Sequence, residues 1–342
     1  MNISFDLNTV WFMLVGALFT GYAILDGFDF GVGALHLFTK TDEERRIMIN
    51  SIGPVWDGNE VWLVTGGGAL FAAFPKVYAT VFSGFYMAFM IFLFCLIFRA
   101  VAIEFRSKQP MRWWRQMWDV SFSVSSILSG FVLGVALGNI ILGLPLHADG
   151  EFYGSFWSLF HPYAIIIGIT TVALFTMHGA IYAVMKTEGE LHDKIRGWIN
   201  NTIILFILCY ITTTMITLIY LPHMVQYFKQ NPLLFILPFL NMLAIANIPR
   251  EILRGNDFRA FLSSCASMAA LMAIFGMGIF PNLVLSTPNP EYSLTIYNAA
   301  SSLKTLRIML IIAIIGIPLV LSYTVSIYWI FRGKVKLEAS SY

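Results

Sequence analysis

The sequence predicts an all-α polytopic membrane protein that crosses the bilayer nine times. Only 12% of the 342 residues are charged and 58% are hydrophobic, whereas a soluble domain carries about 25% charged residues. Mean hydropathy is +0.75, and apolar runs longer than about 18 residues recur along the whole chain. Lys and Arg fall at alternating ends of those runs, which fixes their number. Aromatic residues, at 15%, suit lipid-facing surfaces and interfacial belts.

Nine segments are long enough to cross a hydrocarbon core of about 30 Å. The first, 9–38, lacks a basic leader and a cleavage site, so it reads as a retained helix rather than a removable signal peptide. The others lie near 48–74, 78–105, 119–145, 162–186, 198–222, 232–249, 260–285 and 306–331. The second contains Pro54. The fourth contains "GFVLGVALG", which puts Gly130, Gly134 and Gly138 on one face and permits close helix contact, best read as internal packing. The seventh is the shortest and carries Pro238.

Orientation follows from the basic residues. Connections 39–47, 106–118, 186–197 and 250–259 and the tail 332–342 hold sixteen of the 21 Lys and Arg. The opposite side holds Lys76, Lys229, Lys304 and Arg307, and Arg99 lies within a span. An excess of Lys and Arg marks the cytoplasmic loops, so the N-terminus lies outside and the C-terminus in the cytoplasm. The outer connections 146–161 and 286–305 have the Pro, Gly, Asn and Ser content of turns. All loops are short, which leaves no room for a soluble domain. The net charge of +2 carries no nucleic-acid signal, because the basic residues are spread over short loops.

Ionisable groups at bilayer depth are costly and each needs a reason. "LDGFDFG" places Asp26 and Asp29 at i, i+3 on one helix face, and "GPVWDGNEVW" does the same for Asp57 and Glu60, between Trp56 and Trp62 with Asn59 beside them. At ~1.5 Å per residue all four acids lie roughly 13–18 Å from the cytoplasmic ends of two sequential, antiparallel helices. Singly, each could cap a broken helix or serve the backbone freed at Pro54. Four at one depth read as a cluster able to hold and pass protons inward from the cytoplasmic face. Arg99 is either a snorkelling interfacial arginine or a buried cation paired with these acids.

Metal and haem ligands are sparse. His36, His147, His161, His192 and His223 lie at segment ends or in loops, and His178 lies within a span. The sequence has no HExxH, no CxxCH and no matched histidine pair, and Cys95, Cys209 and Cys265 sit in separate apolar segments. The chain is therefore expected to bind no metal or cofactor, and His178 reads as a hydrogen-bonded core residue.

"GYAILDGFDFGVG", "ERRIMINSIGPVWDGNEVWLVTGGGALFAAFP", "YATVFSGFYMA", "FRAVAIEFRSK" and "LSYTVSIYW" closely resemble subunit II of the cytochrome bd-type quinol oxidases, most densely over residues 15–118. "HGAIYAVMKTEGELH", "FPNLVLST" and "SLTIYNAASS" extend the resemblance almost to the C-terminus. It implies a single integral membrane domain of two four-helix bundles (about 1–145 and 146–285) plus a peripheral last helix and tail (286–342). It implies a partner, subunit I, that carries two b-type haems and one d-type haem and oxidises quinol while oxygen is reduced to water. A small single-helix accessory subunit is a further partner of the family type. Subunit II would complete the complex in the bacterial cytoplasmic membrane, shield the haems and supply part of the proton route, with no catalytic residue of its own. The family's acidic motifs fall on Asp26, Asp29 and Asp57, and its arginine on Arg99. Glu60 is Gln in some relatives, which makes it an auxiliary relay. Trp56, Asn59 and Trp62 are supporting residues.

Two other readings fit the acids less well. A proton-coupled secondary transporter would also hold acids at mid-depth, but such proteins are often built from repeats, and none is detectable; visible absorption of the purified protein separates the two. A purely structural subunit would keep normal turnover after the acids are changed. The topology is checked by cysteine labelling in intact cells. Positions 108, 190, 254 and 338 should label only from the cytoplasm and 150 and 290 only from outside; labelling of position 338 from outside contradicts nine crossings.

Overall fold

The computed structural model describes residues 6–337 and 341–342. The expected outer N-terminus and cytoplasmic tail thus fall in part, at 1–5 and 338–340, outside the described residues. The chain is almost wholly helical: α1 (Leu7–His36), α2 (Asp42–Ile52), α3 (Trp56–Ala73), α4 (Pro75–Gly84), α5 (Tyr86–Phe105), α6 (Arg112–Leu142), α7 (Pro162–Lys186), α8 (Gly189–Tyr220), α9 (His223–Gln230), α10 (Ile236–Leu253), α11 (Asp257–Ile279) and α12 (Leu303–Ile330). A short antiparallel pair, β1 (Asn282–Val284) and β2 (Leu294–Thr295), closes the end opposite the basic loops.

Among the described residues eight helices are long and apolar enough to cross a membrane: α1, α5, α6, α7, α8, α10, α11 and α12. The expected second span, 48–74, is not one helix. A capping box from Thr41 and Glu44 starts α2, and acids at its first three positions oppose the helix dipole. Gly53–Pro54–Val55 then interrupts the chain, since proline has no N–H to continue the ladder. What resumes is α3, 18 residues long, with Asp57, Asn59 and Glu60 in its first turns. Those three polar residues keep α3 from being apolar enough to count with the other eight, although its length, at ~1.5 Å per residue, nearly spans the hydrocarbon.

The second half of α1 is the centre of the packing. Every residue from Asp26 to His36 is buried, as expected of a helix surrounded by others. Around it pack α3, α6, α7, α11 and, at the margin, α12. One core, containing Phe28, Val32, Met48, Ile49, Tyr182 and Ile248, lies toward the basic loops. A second, containing Trp11, Phe74, Phe85, Leu144, Val284 and Leu306, lies at the opposite end. There Trp11 Nε1 donates to the Leu306 carbonyl (2.9 Å) and Ser301 Oγ to that of Ala72 (2.6 Å), tying the start of α12 to α1 and α3. Most of α12 beyond this point presents apolar side chains outward.

Two helix crossings depend on missing side chains. Where α1 meets α7, a Cβ on Gly31 would overlap the Phe175 carbonyl, and one on Gly179 would overlap the backbone of Gly31 and Val32. Where α6 meets α7, a Cβ on Gly134 would sit 2.7 Å from Gly168 Cα and one on Gly138 2.6 Å from Ala164 Cα. The glycine stripe read from the sequence therefore serves internal packing. Gly31→Ala or Gly179→Ala should lower thermal stability in detergent by the roughly 1–3 kcal/mol of overpacking or more. Gly197→Ala, in α8 with open space around it, should be neutral or stabilising by up to about 1 kcal/mol. Equal melting of all three variants would contradict the crossings.

Candidate functional site

Three helices deliver charge to one buried point. Asp26 and Asp29 come from α1, Glu60 from the second turn of α3 and Arg99 from the last third of α5. Arg99 Nη2 lies 2.5 Å from Asp26 Oδ1 and 2.9 Å from Glu60 Oε1. Its guanidinium sits over the Phe30 ring at 4.4 Å, where the ring face favours a cation. Arg99, Asp26 and Asp29 are fully buried, and the Glu60 side chain is 22% exposed. The snorkelling alternative for Arg99 is thus excluded: it is the buried cation of the acidic cluster.

Asp29 is held from the other side. Asn59 Nδ2 donates to Asp29 Oδ2 (2.8 Å) and to the Leu25 carbonyl (3.2 Å), and the Tyr328 hydroxyl donates to Asn59 Oδ1 (2.8 Å). One asparagine therefore ties α1, α3 and α12 together beside the cluster. Asp26 Oδ2 and Asp29 Oδ1 make no hydrogen bond among the described residues, so each carboxyl keeps an oxygen able to carry a proton. The cluster holds three carboxylates against one guanidinium. Fully ionised it would bury two net negative charges, which a low-dielectric interior strongly disfavours.

Asp57 does not join this group. It stands exposed in the first turn of α3, one turn before Glu60 and at the head of an open face that continues through Val61, Val64, Gly68 and Phe71. Trp56 is buried in the core toward the basic loops, and Trp62 lies against Gly21 of α1. Both tryptophans are packing residues.

A second ionic group, at the basic-loop end, was not legible as a site. Asp119 of α6 accepts from Arg106 Nε (2.5 Å) and Arg45 Nη1 (2.8 Å) and lies 2.6 Å from His36 Nε2. Asp42 continues the network with Arg106 and Arg115 at 2.9 and 2.8 Å. These charges sit at span ends, where the sequence gives them no special weight because charge there is cheap. The one available signal was Asp119 itself, an acid at the edge of an apolar run. Nearby, Lys194 of α8 clasps Glu44 of α2 at 2.9 Å. Burial pushes the Glu44 carboxyl up, but Lys194 and the Lys40 and Thr41 amides outweigh it and hold the group below the ordinary carboxylate range.

The residues present do not fit a haem or metal. His178 is fully buried, and both ring nitrogens are engaged, Nδ1 with Ser264 Oγ (2.7 Å) and Nε2 with the Ile24 carbonyl (3.0 Å). His36 spends Nε2 on Asp119. Among the described residues no group of three or more His, Cys, Asp or Glu is placed to hold a metal ion.

Fold and site together define a polytopic helical membrane protein with a buried charge cluster. Residues 7–331 match the family model of cytochrome bd terminal oxidase subunit II. The chain is 36% identical to cytochrome bd-I ubiquinol oxidase subunit 2 of Escherichia coli K12, covering 97% of this chain and 96% of the relative. It is 34% identical to cytochrome bd ubiquinol oxidase subunit 2 of Bacillus subtilis, covering 96% and 97%. The structure of bd oxidase from Geobacillus thermodenitrificans matches with a TM-score of 0.79 at 17% identity, over 95% of this chain and 98% of that one, a likeness of fold. This chain belongs to the cytochrome bd terminal oxidase subunit II family. It is a multi-pass bacterial membrane protein of the respiratory chain and a member of a haem-containing quinol oxidase complex with a subunit I, which removes the transporter reading.

Proposed function

We propose that this chain is the auxiliary, non-catalytic member of its complex and that the Arg99 cluster forms part of a cytoplasmic proton route toward the site of oxygen reduction in subunit I. In this reading α3 crosses the membrane as the ninth span, with the N-terminus outside and the C-terminus in the cytoplasm. Helices α1, α3, α5 and α6 form one four-helix bundle, α7, α8, α10 and α11 the other, and α12 stands at the periphery. Subunit I carries two b-type haems and one d-type haem and oxidises the quinol; this chain shields them and completes the complex.

The observation that carries the proposal is the charge count at Arg99. Three carboxylates around one buried guanidinium reach neutrality by holding two protons, so the cluster is a proton-binding site by electrostatics alone. The exposed Asp57 lies on the open face of α3 and the partly exposed Glu60 one turn on, between that face and Arg99; together they supply the outer steps of the relay. Arg99 keeps Asp26 and Glu60 within reach of one another through a shared nitrogen. The oxygen chemistry consumes protons; the residues of this chain hold and pass them.

Asp26→Asn tests this. It removes a titratable group yet keeps size and hydrogen bonding, and it leaves Asp29 and Glu60 to balance Arg99. The complex should assemble with full haem content while quinol oxidase turnover falls at least about tenfold, the effect of roughly 1.4 kcal/mol on the barrier. Asp57→Asn should act in the same direction and Glu60→Gln more mildly. Wild-type turnover with full haem content in both Asn variants overturns the relay.

A further inference from the structure

At the basic-loop end, a cavity of about 570 Å³ opens between the C-terminal ends of α7 and α12 and the start of α11. That volume lies within the ~300–1,000 Å³ typical of small-molecule sites. Four cations line it: Lys186, Arg259, Arg332 and Lys334. Its one carboxylate among the described residues, Asp257, is already paired with Arg196 at 2.9 Å. None of the four cations has a carboxylate partner among the described residues.

What holds these cations is backbone. Lys186 Nζ donates to the carbonyls of Phe331 and Gly333, and Lys334 Nζ donates back to that of Val184 (3.1 Å), so the ends of α7 and α12 cap each other. The Val335 amide adds a bond to the Lys186 carbonyl at 2.9 Å. Arg332 stacks on Trp329 at 4.0 Å and donates to its carbonyl. Arg259 makes no ion pair among the described residues. The cavity also takes in the first turn of α11, whose free amides and positive dipole end attract anions. Four positive side chains and a helix N-terminus around one hollow favour an anion there.

The surroundings identify the source of that anion. Tyr182 and Tyr328 form an aromatic floor, and Phe258 at the rim is exposed. Beside it α12 turns Trp329 and Ile330 outward along its apolar face. Basic pockets between spans on the cytoplasmic side bind anionic headgroups. We propose that this cavity binds the phosphate headgroup of an anionic phospholipid, with its acyl chains laid along the outer face of α12. Assignment to the cytoplasmic leaflet rests on the orientation proposed above; headgroup binding does not.

The test uses the whole purified complex, stripped of lipid by detergent exchange. Phosphatidylglycerol, phosphatidylcholine and inorganic phosphate are titrated separately, with bound lipid counted by native mass spectrometry and melting temperature followed in parallel. Phosphatidylglycerol should bind and raise the melting temperature, while phosphatidylcholine and inorganic phosphate should not. Arg259→Gln or Arg332→Gln should weaken phosphatidylglycerol binding roughly fivefold, and the double variant about 25-fold, from the loss of one cation each near an anionic headgroup. Arg259→Lys should stay near wild type. Should the double variant fail to assemble, Arg259→Gln alone decides, because that side chain holds no ion pair. Equal binding of phosphatidylcholine, equal stabilisation by inorganic phosphate, or undiminished lipid binding by Arg259→Gln overturns the proposal.

Discussion

A guanidinium buried among helices must find its counter-charges there, and Arg99 does so on two different helices at once. A buried arginine left without partners would cost several kcal/mol. The requirement fixes the relative depth of α1, α3 and α5, because Asp26 and Glu60 must both reach one nitrogen. It also explains why the inner half of α1 is enclosed on all sides. The contact of Gly31 with Gly179 brings the backbones of α1 and α7 close enough to exclude lipid from that half, and Gly134 and Gly138 bring α6 against α7 toward the opposite end. Close backbone approach through small residues is how membrane helices gain packing energy where the hydrophobic effect does not separate them from lipid. Asn59 then adds α12 to the assembly through Tyr328.

Much of this was readable in the sequence, for physical reasons. Charge in hydrocarbon is rare, so Asp26, Asp29, Glu60 and Arg99 stand out against an apolar background, and helical spacing with equal depth brings the acids together. His178 stood out in the same way, and its two hydrogen bonds show it as the core residue it was expected to be. Other features left weaker traces. The break at Gly53–Pro54–Val55 divides what hydropathy reads as one span, because an apolar run reports burial and not continuity. The Asp119 network joins residues 36, 42, 45, 106, 115 and 119 at the ends of spans, where charges raise no alarm and their pairing depends on how loops fold back. Asp57 had the sequence signature of Glu60 but stands on the open side of α3. A period of 3.6 residues tells which residues share a face, not which edge of that face is covered.

On the proposed function, this arrangement suits a chain that brings protons rather than electrons. His36 and His178 are spent on an ion pair and hydrogen bonds, whereas the carboxylates are in surplus over the cation they surround. An excess of acid in a low-dielectric interior stores protons; a matched pair would only hold the helices. The two clusters divide those tasks. Asp119 faces Arg45 and Arg106 in addition to His36, and both its oxygens are engaged in ion pairs. The Arg99 cluster leaves one carboxyl oxygen on each of Asp26 and Asp29 with no hydrogen bond among the described residues.

The central claim is therefore one of protonation, and infrared spectroscopy reads it directly. The carboxylic C=O stretch, separated from carboxylate bands and shifted in heavy water, is recorded on the purified complex at neutral pH for wild type and Asp29→Asn. Protonated acid at the cluster predicts a carboxylic band in the wild type that loses intensity in the variant. A wild-type spectrum without such a band, or one unchanged by Asp29→Asn, contradicts it.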